Sequence, residues 1–216
     1  MSYELVVFDW DGTLMDSTRV IAASLQDACR DVGIAVPTDR DARYVIGLNL
    51  ADSFNHVAPG LDDAGRQRLA ERYRHHFLAR EGEMPLYDGV REMLQDRRVR
   101  GRRLAVATGK ARRGLDRALE ATGLRDCFEA TRCADEGFAK PHPDMLLMLL
   151  DITGVAARSA LMVGDTTHDL ELAANAGVDA VAVSYGAHDE DLLATRPARA
   201  RCASVPQLHR WLATSI

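Results

Sequence analysis

Asp9 and Asp11 stand one residue apart directly after the apolar run Leu5–Phe8, and Gly12 and Thr13 follow them. While the chain stays extended, alternation puts both carboxylates on one side. Two like charges that close repel, and each makes the other harder to ionise. An acidic turn or a helix N-terminus is the plain structural reading of such a pair. The chemical reading is a metal-assisted phosphoryl-transfer site, where a hard divalent cation relieves the repulsion. The pair alone leaves both open. What the rest of the chain places beside it decides.

The elements that must position the pair can be read in order. Asp16 and Ser17 are good N-cap residues for a helix carrying Val20, Ile21, Leu25, Ala28 and Val32 at helical spacing, which Gly33 closes. Residues 39–80 then read as helix after helix, over 42–46, 50–57 and 62–79, with no strand-like run. From residue 86 the pattern changes. Apolar strands at 102–108, 128–131, 160–163, 180–183 and 201–204 alternate with helices at 88–98, 110–122, 143–152, 168–176 and 206–212. This alternation predicts an α/β fold, a Rossmann-like parallel sheet covered on both faces. The expected organisation is a core of residues 1–15 and 86–216, with a small all-helical domain of residues 16–85 inserted after the first strand.

Ligands of open parallel sheets bind beyond the carboxyl ends of the strands. At those ends lie Asp9 and Asp11, then Thr108 and Gly109, then Asp165, with Asp169 on the first turn of the next helix. Lys140, before Pro141, falls between the last two groups. Lys140 and Lys110 are the only lysines among 27 basic residues. Where arginine serves almost everywhere else, a retained lysine suggests a need for a compact ammonium.

Composition narrows the partners. A net charge of -5 gives no basic footprint for nucleic acid. The apolar run at 145–150 is far short of a membrane span. Cys29, Cys127, Cys133 and Cys202 form no CxxC pair and read as reduced thiols. The first strand begins within a few residues of Met1, so we expect no signal peptide and a cytoplasmic location.

The segments FDWDGTLMDS at 8–17, ATGK at 107–110, AKPHPD at 139–144 and GDTTHDLE at 164–171 together resemble the haloacid dehalogenase-like hydrolase superfamily, in its phosphatase branch near phosphoglycolate phosphatases. The order matches, and the helical insert lies where that family carries a cap. The resemblance implies a Mg²⁺-dependent phosphatase acting on a small-molecule phosphate ester, with 2-phosphoglycolate the first candidate. Asp9 would be the nucleophile and Asp11 the acid and base. Gly12, Thr108, Gly109 and Lys140 would receive the phosphoryl group. Asp9, the main-chain carbonyl of Asp11 and Asp165 would hold the metal. Asp169 would bind the metal's water or orient Lys140.

Two alternatives stand beside this. A phosphomutase resembling β-phosphoglucomutase would use the same core, although Thr13 stands where those mutases carry a hydrophobic residue. A non-catalytic phosphate-binding module would be expected to have lost one of these groups. Dehalogenase chemistry is disfavoured because those relatives lack the carboxylate present here as Asp11. Lys110 is a candidate substrate-facing cation, and by resemblance the loop with Arg43, Gly47, Leu48 and Asn49 would face the site. His142 and His168 flank helix starts and need not touch substrate. The oligomeric state is open.

Overall fold

The computed structural model describes residues 3–99 and 101–215. At its centre lies β1 (Leu5–Phe8), flanked by β2 (Arg103–Thr108) and β4 (Ala160–Gly164). With β3 (Ala130–Cys133), β5 (Asp179–Val183) and β6 (Ala200–Cys202), they form one six-stranded sheet in the order β3-β2-β1-β4-β5-β6. Every neighbouring pair is parallel. The chain builds outward from β1 to β3, then returns to the other side of β1 as β4. The switch in strand order therefore falls between β1 and β4.

Period-two alternation explains why the strands read as unbroken apolar runs. Val6, Phe8, Val106, Leu161, Val163 and Val181 enter the apolar cluster on one face. Leu5, Val7, Ala105, Met162, Ala180 and Ala182 enter the cluster on the other. The helix α5 (Val90–Val99) leads into β2, and α6 (Arg112–Thr122), α7 (Asp144–Thr153), α8 (Thr167–Asn175), α9 (Glu190–Leu193) and α10 (Val205–Ser215) follow β2, β3, β4, β5 and β6 in turn.

Between β1 and β2 lie α1 (Thr18–Asp31), α2 (Asp39–Tyr44), α3 (Leu50–Val57) and α4 (Asp63–Ala79). These four share a third apolar cluster built on Leu25, Ala28, Ala42, Val45, Phe54 and Leu69. Thr38, Asn49 and Asp62 cap α2, α3 and α4 through their side chains. Two chain segments join this bundle to the sheet, and they pair with each other. Asp16 N donates to Pro85 O at 2.8 Å, and Tyr87 N donates to Leu14 O at 3.0 Å.

Boundaries differ from the sequence reading by a few residues at several ends, as in α2, Asp39–Tyr44 against 42–46, and β6, Ala200–Cys202 against 201–204. The third strand is Ala130–Cys133 rather than 128–131, because Phe128 turns into the core against Trp10, their ring centroids 6.2 Å apart. The segment between β5 and β6, which carries no strong periodicity, holds the short helix α9. No described helix is long and apolar enough to cross a membrane.

Candidate active site

β1 runs directly into Asp9 and β4 into Asp165, so the two carboxylates flank the switch point. Thr166 caps α8 and Asp169 answers it. Asp169 N donates to Thr166 Oγ1, while Asp169 Oδ2 accepts from Thr166 N at 3.1 Å and Thr166 Oγ1 at 2.7 Å. That reciprocal cap fixes the Asp169 carboxylate and leaves Oδ1 facing Lys140. Lys140 Nζ donates to Asp169 Oδ1 at 2.6 Å and to Asp9 Oδ1 at 2.7 Å. All of these groups are buried.

One ammonium, bonded to Asp9 and Asp169, thus stands beside a cluster of three buried carboxylates, Asp9, Asp165 and Asp169, each offering an oxygen within 4.8 Å of the others. Burial pushes the Asp9 carboxyl up to about 7, against the pull of Lys140. Burial, with Asp9 and Asp169 nearby, likewise raises Asp165 well above the usual carboxylate range. Burial works against the Lys140 ammonium, yet Asp169 and Asp9 hold its pKa above the ordinary lysine value. Asp9 Oδ2 is a buried oxygen with no hydrogen-bond partner. An all-oxygen donor set with surplus negative charge and an orphaned carboxylate oxygen fits a hard divalent cation. Asp165 Oδ1 accepts from Thr13 Oγ1 and Oδ2 from Ala187 N, both at 2.7 Å, which aims the carboxylate while leaving lone pairs free.

Gly12 turns the first loop with φ +86°, and a Cβ there would lie 2.1 Å from Asp165 Oδ2. Only glycine permits both the turn and the approach. Beyond it, Asp11 has both oxygens engaged. Lys110 Nζ donates to Oδ1 at 2.9 Å and Oδ2 at 2.8 Å, and Ser17 Oγ donates to Oδ1 at 2.6 Å. Ser17, expected as a helix cap, sits at the cap position of α1 but makes no capping bond. The charged Asp11 carboxylate draws the hydroxyl toward itself as a donor, away from the position in which its oxygen would accept from the helix amides. Thr108 is buried at the end of β2, and its Oγ1 accepts from Lys110 N at 3.2 Å. Gly109 lies under the helical bundle, where a Cβ would meet Gly47 O at 2.5 Å.

The loop after β5 was not singled out from the sequence, yet it lines the same region. Arg43 donates to Gly186 O at 2.6 Å and Ala187 O at 3.2 Å. Tyr44 O accepts from His168 Nε2 at 2.8 Å and His188 Nε2 at 3.0 Å, and the Tyr44 and His188 rings stack. His168 therefore holds the bundle. The usable signal was position, since residues 184–188 also follow the carboxyl end of a parallel strand.

A parallel sheet with this carboxylate and ammonium cluster at its switch point places the chain among α/β proteins whose polar site lies beyond the carboxyl ends of the strands. Residues 6–183 match the model of the haloacid dehalogenase-like hydrolase family, and the chain belongs to that family. Probable phosphatase IndB of Dickeya dadantii is 37% identical over 196 residues, which span 88% of this chain and 84% of that one. The phosphoglycolate phosphatase of Agrobacterium fabrum is 31% identical over 199 residues, covering 89% and 85%. The crystal structure of a predicted phosphatase from Clostridium acetobutylicum has a TM-score of 0.87 at 26% identity, covering 99% of both chains.

Proposed function

We propose that the protein is a phosphatase that cleaves small phosphate monoesters through an aspartyl-phosphate on Asp9, with Mg²⁺ as cofactor. The observation that carries this reading is the Asp9 carboxylate itself. It sits at the switch point with one oxygen pinned by Lys140 and the other buried without a partner. In the first step an Asp9 oxygen attacks phosphorus while the ester P–O bond breaks. The leaving alkoxide takes a proton from Asp11. In the second, Asp11 removes a proton from water, which attacks phosphorus and releases Asp9 as phosphate departs.

Asp9, Asp165 and the main-chain carbonyl of Asp11 would hold Mg²⁺, whose charge would offset that of a dianionic phosphate. Gly12, Thr108 and Gly109 would receive phosphoryl oxygens, and Lys140 would balance charge beside Asp9. Asp169 would act through Lys140, to which its Oδ1 is bonded while the α8 cap holds its Oδ2. Residues 16–85 would serve as a cap on a core of residues 1–15 and 86–216, hinging where the two connecting segments pair.

Release of phosphate from p-nitrophenyl phosphate, with and without Mg²⁺, tests the proposal. Wild type should turn over only with the metal and Asp9→Asn should not. Equal turnover by the two proteins would defeat the mechanism. The name of the Agrobacterium relative makes 2-phosphoglycolate the reference ester for a wider panel.

A further inference from the structure

A cavity of about 590 Å³ lies between the helical bundle and the sheet, and its floor is Asp9, Asp11, Thr108, Gly109 and Lys110. Its walls are of another character. Ile21 of α1, Leu48, Leu50 and Phe54 around α3, and Tyr73 and Phe77 of α4 face it. The three aromatic rings form a continuous surface. Phe54 meets Tyr73 edge-on at 6.3 Å, and Tyr73 stacks on Phe77 at 5.8 Å.

The less exposed polar side chains in these walls are for the most part already committed. Ser53 Oγ donates to Asn49 O at 2.8 Å and Val45 O at 3.2 Å, and Lys110 is held by Asp11. The Tyr73 hydroxyl is the exception. Burial and the nearby Asp11 charge keep it protonated. Arg74, Arg113, Arg117 and Asp135 also line the cavity, but they are exposed and open to screening by salt, and Arg117 is held by Glu81. A sugar would bury several hydroxyls against these apolar side chains, where the Tyr73 hydroxyl is the free partner apart from the exposed arginines, which is costly. A two-carbon phosphorylated acid would fill little of the space.

We infer that the alcohol half of the substrate is an apolar body, aromatic or branched aliphatic, that fills the space between the α3–α4 wall and the catalytic floor. The inference rests on the phosphatase reading of that floor.

The test compares kcat/KM of the Mg²⁺-loaded enzyme for 2-phenylethyl phosphate, ethyl phosphate, 2-phosphoglycolate and glucose 6-phosphate, with p-nitrophenyl phosphate as a general reporter. The first two esters share a primary alkoxide leaving group, so their ratio reads the body and not the chemistry. 2-Phenylethyl phosphate should exceed each of the other three alkyl esters by about ten-fold or more, as expected for burying a phenyl group. Leu48→Asp, in a half-buried loop, should cut the phenylethyl-to-ethyl ratio several-fold. A preference for glycolate or glucose phosphate, or a ratio near one, would overturn the inference and leave the phosphatase reading standing. A ratio that Leu48→Asp leaves unchanged would overturn this wall as its origin. Loss of turnover on every ester, p-nitrophenyl phosphate included, would instead bring down the phosphatase reading.

Discussion

Lys140 and Lys110 each neutralise an aspartate of the first loop, yet they do so in different surroundings. Lys140 is fully buried between Asp9 and Asp169, with side-chain exposures of 0%, 1% and 0%. Lys110 and Asp11 each keep 10% exposure at the cavity, and the ammonium also lies 5.0 Å from the centroid of the Phe77 ring on α4. The first ion pair sits inside the sheet's polar edge. The second touches solvent, cavity and helical bundle at once. The same pairing of charges can therefore be a fixed part of the interior at one position and adjustable at the other. Burial decides which, because removing water strengthens attraction and makes an unpaired charge expensive.

The largest test of that difference is Lys140→Met. The substitution would leave Asp9 and Asp169 buried without their cation, a loss of about 3–5 kcal/mol of stability. A fall in Tm and in denaturant midpoint would measure it, and activity should drop with it even where the variant is folded. Saturating Mg²⁺ should restore part of the stability, since a divalent cation can offset the same surplus charge. A variant as stable as wild type would mean that the Lys140 contacts carry no net weight.

Lys110→Met should behave in the opposite proportion. Partial exposure limits its stability cost to about 1–2 kcal/mol. Its activity should still fall by about ten-fold, because Asp11 would lose the partner that holds both carboxylate oxygens. Parallel kinetics and melting curves for the two lysine variants would show whether stability and activity separate as burial predicts. A Lys110 variant that loses stability as heavily as the Lys140 variant would erase the distinction.

Much of this arrangement was legible because it depends on local pattern. Apolar runs separated by helical spacing predicted the parallel sheet, and the ends of those runs located Asp9, Thr108 and Asp165. Scarcity of lysine in an arginine-rich chain drew attention to both ammonium groups. Sequence pattern did not show which partners they choose. Lys110 reaches Asp11 across 99 positions, and Ser17 leaves its expected cap for the same carboxylate. Those outcomes follow from where the fold places the Asp11 carboxylate in three dimensions. The loop 184–188 was missed for a related reason. Its contributions to Asp165 and Arg43 run through main-chain groups, and main-chain groups leave no mark on residue type.

A third cation extends the comparison to its exposed end. Arg80 donates to Asp27 Oδ2 at 2.6 Å, tying the end of α4 to α1, with 32% and 26% of the two side chains exposed. The Arg80 hydrogen bond is the leading cause that lowers the Asp27 pKa from 3.8, opposed by burial and assisted by the charges of Arg80 and Arg30. A carboxylate with a depressed folded pKa contributes stability that is present above its unfolded pKa and lost as pH falls through the folded one. Arg80→Ala should therefore cost at most about 1 kcal/mol at pH 7. The difference from wild type should shrink as pH drops below about 4. Molar salt should shrink it too, because the pair is within reach of mobile ions, whereas the cost of Lys140→Met should survive the same salt. Urea melts of both variants at low and high salt would make that separation measurable. If Lys140→Met proved as salt-sensitive as Arg80→Ala, water and ions would be reaching the space between Asp9 and Asp169, and burial would not be what sets the two apart.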